Sequence, residues 1–151
     1  MLDLALLRSP KYPDRFADQG EQVFTYSFLP HKNALPESDV MREAATLNRS
    51  LLIADGFDAG TAKMPFRLES DHIVMDVVKR EEKGDALIIR LIETAGGCSE
   101  GILHLNQAPA AVYETDLMEW NTIRQFDSVD TALSLTLNPF EIRTLCIEMP
   151  E

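Results

Sequence analysis

The sequence has little of several residue types that mark specialised classes of protein. Its only cysteines, Cys98 and Cys146, are too few for a disulfide framework, so we expect two ordinary core thiols. No apolar run approaches the length of a membrane span, and no basic-then-apolar signal follows Met1. We therefore expect a cytoplasmic protein that has no membrane partner.

Basic residues are scarce as well. The chain has 14 Lys and Arg against 25 Asp and Glu, which gives a formal net charge of −11. No local cluster of Lys and Arg offsets this charge, so nucleic acid and anionic membranes would be repelled. The acids are spread along the chain, which favours a role in solubility over an acidic sugar-binding groove.

The residue spacing also lacks the patterns of metal and nucleophile chemistry. His31, His72 and His104 are far apart in sequence, and there is no C-x-x-C or H-x-x-x-H pair. Cys98 and His104 would point to the same side of a strand, but the rise of an extended chain separates them. We therefore expect no metal site, no bound cofactor and no catalytic residue in this chain.

Paired carboxylates are the remaining route to hydrolytic chemistry. Glycoside hydrolysis needs two acids that face each other across the scissile bond, one of them a proton donor. Five acids of the second half are candidates by type: Glu93, Glu100, Glu114, Asp116 and Glu119. In a chain with 25 acids some will be neighbours by chance, so the pattern favours ordinary turn and surface roles.

The first part of the chain mixes strand signals with one helix. Glu21–Leu29 alternates aromatic and β-branched residues, which predicts a strand, and Leu4–Arg8 predicts a shorter one. A helix is predicted from the cap Ser38 to Asn48. The glycine-rich segment Asp55–Pro65 is the best linker candidate and divides the chain near residue 62. Because the chain starts almost inside its first predicted strand, we expect a piece of a longer protein.

Residues 63–151 read as strands throughout. Ile73, Met75 and Val77 alternate with their neighbours, and the charged turn Arg80–Asp85 leads to a second strand, which predicts a β-hairpin. Further strands are predicted at 86–92, 101–105, 110–114, 133–137 and 142–149. The predicted fold class is mainly β: an antiparallel, immunoglobulin-like sandwich over 63–151, preceded in 1–62 by a smaller β segment with one short helix.

Several segments resemble the C-terminal region of glycoside hydrolase family 38, the α-mannosidases. The family has an Ala-Asp-x-Gly turn, a Phe-x-Tyr strand and a Pro-His pair. The corresponding residues here are Ala17, Asp18, Gly20, Phe24, Tyr26, Pro30 and His31. The helical EAATLN at Glu43–Asn48 and the segments RLIETAGG, ETDLMEW and PFEIRTL also resemble the family, in the same order. One departure is Gln22, where the family often has His.

This resemblance implies a function for a larger protein. In the family, a zinc ion held by His and Asp grips mannose hydroxyls, an Asp nucleophile forms a covalent intermediate, and a second carboxyl donates the proton. None of those motifs matches a position here, so no catalytic or zinc-binding residue is carried over. The resemblance implies a non-catalytic C-terminal part, with the upstream catalytic domains as partner and mannosides as substrates of the whole enzyme.

Two other functions stay open at this point. The chain could be a stand-alone binding module, in which Trp120, Tyr113 or Tyr26 stacks on a sugar ring; a single Trp is nevertheless more often part of a core or rim. It could also be a structural domain that is inert to sugars. The few strands of residues 1–62 could pair edge to edge with a second copy, which would make a homo-oligomer.

Overall fold

A computed structural model describes residues 3–49, 53, 55–56 and 65–150 of the chain. The described residues fall into two compact units, one that ends at Pro30 and one that begins at His31. The boundary predicted near residue 62, and most of the linker predicted at Asp55–Pro65, lie outside the described residues. No helix among the described residues is long and apolar enough to cross a membrane.

The first unit is built from turns and extended segments. Asp18, with φ of 57°, and Gly20, with φ of 109°, form the turn that the family resemblance implies. The strands predicted at Leu4–Arg8 and Glu21–Leu29 are not formed within the described residues, and this part of the prediction is wrong. Alternating apolar residues make a strand only where a second strand pairs with them, and no described strand does.

The helix is confirmed, although it buries nothing. Helix α1 spans Val40–Asn48 and follows a short 3-10 turn at Leu35–Glu37. The N-cap residue is Asp39, and its side chain makes no capping hydrogen bond, so the cap predicted at Ser38 is wrong by one residue. The hydroxyl of Ser38, one position earlier, accepts a hydrogen bond from the N–H of Val40 at 3.4 Å. None of the helical residues is buried, so its apolar stripe has no described partner.

Eight antiparallel strands form the sandwich in the described part of the second unit. Their bounds are β1 Phe66–Glu69, β2 Ile73–Arg80, β3 Leu87–Glu93, β4 Ser99–Leu105, β5 Ala111–Thr115, β6 Thr122–Phe126, β7 Ala132–Leu137 and β8 Ile142–Glu148. One sheet has the order β1-β4-β7 and the other β2-β3-β8-β5-β6. The mainly β fold, the sandwich and the β2–β3 hairpin are confirmed. Strands β1 and β6 were not predicted.

One apolar core lies between the two sheets. Strands β3, β4, β7 and β8 contribute alternate residues to it, as the pleat of a half-buried sheet requires. Its buried members are Phe66, Ile73, Ile89, Leu91, Leu103, Leu105, Val112, Leu133, Leu135, Leu137, Leu145 and Ile147. Arg90 alternates with Ile89 and Leu91, so its side chain points to the opposite face of the five-stranded sheet. That outer face carries the candidate site.

Candidate functional site

The five candidate carboxylates do not come together at one place. Glu93 and Glu100 belong to the β3–β4 region, whereas Glu114 lies on β5. Glu114 Oε2 is 2.8 Å from Arg124 Nη2 on β6 and 3.6 Å from Arg143 Nε on β8, so it forms ion pairs with the two neighbouring strands. Only Asp116 and Glu119 share one element, the loop between β5 and β6.

Glu93 is a structural carboxylate. Its side chain accepts four hydrogen bonds of 2.8 to 2.9 Å, from Ser99 Oγ and from the backbone N–H groups of Ala95, Gly96 and Phe140. Burial alone would raise the pKa of Glu93, but these four donors stabilise the charged form and lower the pKa to about 2. Such a group cannot act as a proton donor near neutral pH.

The loop between β5 and β6 is held in one conformation by Asp116. Its Oδ1 accepts the backbone N–H of Trp120 at 2.9 Å, and its Oδ2 accepts the Asn121 side-chain amide at 2.6 Å. These hydrogen bonds, that of the Trp120 N–H above all, lower the pKa of Asp116. The backbone N–H of Glu119 closes the turn on the Asp116 carbonyl at 3.0 Å.

Glu119 points inward from that loop and joins it to the sheet. Its φ is 62°, and its side chain is only 4% exposed. Glu119 Oε1 lies 2.8 Å from Lys79 Nζ on β2 and 3.0 Å from Arg90 Nη2 on β3. Arg90 also donates to the carbonyl of Leu117 at 2.7 Å. The hydrogen bond to Glu119 raises the pKa of Lys79, which therefore stays charged.

A groove of about 530 Å³ opens between this loop and the turn that joins β2 to β3. Small-molecule sites typically have volumes of ~300–1,000 Å³. Trp120 on its rim is 66% exposed, and Lys83 Nζ lies 5.6 Å from the centre of its ring. The groove therefore combines an exposed aromatic ring with fixed charges of both signs.

Four buried polar atoms at this face have no hydrogen-bond partner within the described residues. They are Arg90 Nε, Glu119 Oε2, Thr115 Oγ1 and Thr144 Oγ1. Arg90 pairs with Thr144 in the register of β3 and β8, and Thr144 pairs with Thr115 in that of β8 and β5. Three of the four therefore lie in one row across adjacent strands, and Glu119 contacts the first of them. Buried polar atoms are rarely left unpaired, so their concentration at one place is informative.

The three predicted aromatic residues have different surroundings. Trp120 lines the groove. Tyr113 packs on the buried residues Ile88 and Cys146, so it belongs to a small apolar cluster on the outer face. Tyr26 is exposed in the first unit. Of the three, Trp120 is the one beside the fixed charges of Glu119, Lys79 and Arg90.

The histidines and cysteines do not form a reactive centre within the described part of the chain. His104 Nε2 lies 3.2 Å from Glu69 on the neighbouring strand, and His31 Nδ1 lies 2.8 Å from the carbonyl of Asn33. Cys146 is buried, and burial raises the pKa of its thiol to about 11. Cys98 is exposed, so the prediction that both thiols belong to the core is wrong for this one. It precedes β4, where the chain is at the surface.

Comparison with known proteins identifies a family whose model matches part of the chain. A family model described as the glycosyl hydrolases family 38 C-terminal beta sandwich domain matches residues 72–145. That range covers β2 to β8 up to Leu145, including the whole groove.

Curated relatives match nearly the whole chain. "Alpha-mannosidase 2C1" of Mus musculus is 34% identical over 153 residues, which cover 97% of this chain and 15% of the relative. "Alpha-mannosidase 2C1" of Homo sapiens is 33% identical over the same shares of both proteins. "Alpha-mannosidase G" of Dictyostelium discoideum is 28% identical over 95% of this chain and 14% of the relative. The chain therefore spans about 15% of the length of the curated relatives it matches.

Proposed function

Because the chain belongs to the C-terminal region of glycosyl hydrolase family 38, we propose that it serves as a non-catalytic sandwich part of a larger α-mannosidase. The larger enzyme would hydrolyse α-mannosidic bonds with retention of configuration. The upstream catalytic domains are the proposed partner of this chain, and the cytoplasm is the proposed location. One observation carries the proposal: almost the whole chain matches a small part of each of three larger proteins that are named α-mannosidases.

The chemistry of the acids supports a non-catalytic role. A retaining glycosidase needs a nucleophile and a proton donor whose pKa is raised, facing each other across the substrate. Here hydrogen bonds lower the pKa of Glu93 and Asp116. Glu114 and Glu119 are held by cations. These four acids therefore have structural tasks that compete with proton transfer.

Zinc is proposed only for the larger enzyme. Among the described residues, no three His, Cys, Asp or Glu side chains come together in a way that could hold a metal ion. The described residues do not fit a zinc site, so no zinc-dependent step is assigned to them.

An activity assay tests the non-catalytic role. The purified chain should give no turnover of an aryl α-mannoside, with or without added zinc, under conditions in which a full-length relative is active. Turnover that tracks this chain through purification and is abolished by Glu93→Gln, Glu114→Gln or Glu119→Gln would contradict the proposal.

We also propose that residues 63–151 form an independent domain and that residues 1–62 complete a larger sheet of the enzyme. The apolar side chains of the first unit support this, since Phe24, Tyr26 and Phe28 are all exposed. The unpaired stripe of helix α1 supports it too. Such surfaces on a folded protein usually mark a contact with another element.

Limited proteolysis tests the proposed boundary. The first cuts should fall within Asp55–Pro65 and leave a resistant fragment that contains all eight strands. The melting temperature of that purified fragment should match that of the main unfolding transition of the full chain. First cuts between strands of the sandwich, with Asp55–Pro65 protected, would place the boundary elsewhere.

A further inference from the structure

We propose that the groove between the β2–β3 turn and the β5–β6 loop binds a neutral pyranose sugar unit. The ring would stack on Trp120 while its hydroxyls bond to the charged groups beside it. This binding would be a property of the sandwich alone. It does not depend on the proposed role in a larger mannosidase.

The groove is preorganised for a ligand. Asp116 fixes the backbone of the loop, and the buried Glu119 anchors that loop to β2 and β3 through Lys79 and Arg90. The exposed indole of Trp120 is therefore presented by a rigid loop, so little conformational entropy is lost when a ligand stacks on it. A buried carboxylate next to an exposed aromatic residue has a desolvation cost that an ordinary surface turn avoids.

The charges favour a neutral ligand with both donors and acceptors. Lys79, Lys83 and Arg90 line the groove together with Glu82 and Glu119, so cations and anions nearly balance. An anionic ligand would gain from the three cations but would be repelled by the two carboxylates. A hydroxyl group can accept from an ammonium or guanidinium and donate to a carboxylate at the same time.

Polar atoms beside the groove that lack a hydrogen-bond partner within the described residues also favour a ligand with donors and acceptors. The Glu119 side chain is nine-tenths buried and lines the groove, yet its Oε2 has no partner in the described chain, and the same holds for Arg90 Nε. One is an acceptor and the other a donor. Polar groups without a described partner in the lining of the groove favour a ligand that carries hydroxyl groups over an apolar one.

The shape of a pyranose matches the remaining features. Its ring has a face of C–H groups that packs on an aromatic ring, and a rim of hydroxyls that needs polar partners. A mostly open groove with one stacking residue and few hydrogen bonds should bind a single sugar weakly, at about millimolar Kd.

Tryptophan fluorescence gives a direct readout because Trp120 is the only tryptophan in the chain. The full-length chain is titrated separately with the methyl α-glycosides of mannose, glucose and galactose, and with inorganic phosphate. We expect at least one glycoside to change the Trp120 emission saturably, and phosphate at the same ionic strength to change nothing. No saturable change with any glycoside, or saturation by phosphate alone, would overturn the proposal.

Variants then locate the binding site. Their sugar affinity is measured by saturation-transfer NMR, because this method does not depend on tryptophan fluorescence. Trp120→Ala should weaken binding about tenfold or more, and Glu82→Gln and Lys83→Gln several-fold. Tyr12→Ala removes another aromatic residue, 87% exposed in the first unit, and should leave binding unchanged. Circular dichroism confirms that each variant is folded. If Trp120→Ala misfolds, Glu82→Gln and Lys83→Gln decide, because both residues lie at the exposed rim of the groove. Equal binding by the folded rim variants and the parent chain would refute a site in this groove.

Discussion

Glu93 shows how a residue that is acidic by type becomes structural through its surroundings. It is 1% exposed and joins two turns, because Gly96 and Phe140 both donate to its Oε2. Phe140 is 47 positions further along the chain. No local pattern in the sequence announces a contact of that separation, so Glu93 could be recognised as a candidate but not assigned its role.

Protein stability should depend on the charge of Glu93 at acid pH. The folded-state pKa of about 2 lies below the ordinary value of 4.5, so the charged form stabilises the fold. This contribution is present above about pH 4.5 and is lost as the pH falls towards 2. Urea unfolding from pH 6 to pH 2 measures it.

A matched pair of variants isolates that contribution. Glu93→Gln should lower stability at pH 6 and flatten its pH dependence below 4.5, because an amide has only one oxygen for the donors. Glu100→Gln, at an exposed acid on β4, should keep the parent's slope. If the unfolding free energy of Glu93→Gln depends on pH as steeply as that of the parent, Glu93 does not contribute to the pH dependence of stability.

Two adjacent glycines in the β3–β4 turn should differ sharply in tolerance. Gly96 has φ of 75°, and an added Cβ would lie 2.5 Å from Phe140 Cζ, whereas a Cβ on Gly97 would meet nothing within 4 Å. Gly96→Ala should therefore destabilise by more than ~1 kcal/mol, and Gly97→Ala by less than ~0.5 kcal/mol. Thermal unfolding of the two variants checks this. Equal losses would contradict the close approach of Phe140.

The elements show where sequence patterns stop being informative. The β2–β3 hairpin was predictable because alternation and a charged turn occur together. Strand β6 was missed since its residues are mostly exposed and leave no apolar alternation. At Glu21–Leu29 the alternation is present but no strand is formed. Period-2 alternation indicates two different faces, and it does not show whether a partner strand is there to pair with. The groove beside Trp120 was equally out of reach, since it needs β2, β3 and a distant loop.

Asp116 should control the order of the whole β5–β6 loop. Asp116→Ala removes the acceptor for the Trp120 N–H and for Asn121, so the loop should open. We expect faster hydrogen exchange of the Trp120 amide and lower fluorescence anisotropy of its indole. Asp130→Ala, at an exposed acid before β7, is the control and should change neither. An unchanged loop in Asp116→Ala would mean that Glu119 alone holds it.

For the molecule as a whole, the two units differ in how far they bury their own apolar side chains. The second unit buries a continuous apolar core between two sheets. The first unit leaves most of its apolar side chains exposed, among them Leu4, Phe16 and Val23. The chain matches about 15% of each of two relatives, and the exposed apolar surface of the first unit is consistent with the proposed contact with upstream domains.

Replacement of the matching segment in a relative tests this account most directly. The Mus musculus relative is prepared in three forms: unaltered, with the segment that matches this chain deleted, and with this chain in its place. We predict that deletion abolishes turnover of an aryl α-mannoside and that the replacement restores a substantial part of it. Full turnover by the deleted form, or a replaced form no more active than the deleted one, would contradict the claim that this chain serves as part of such an enzyme.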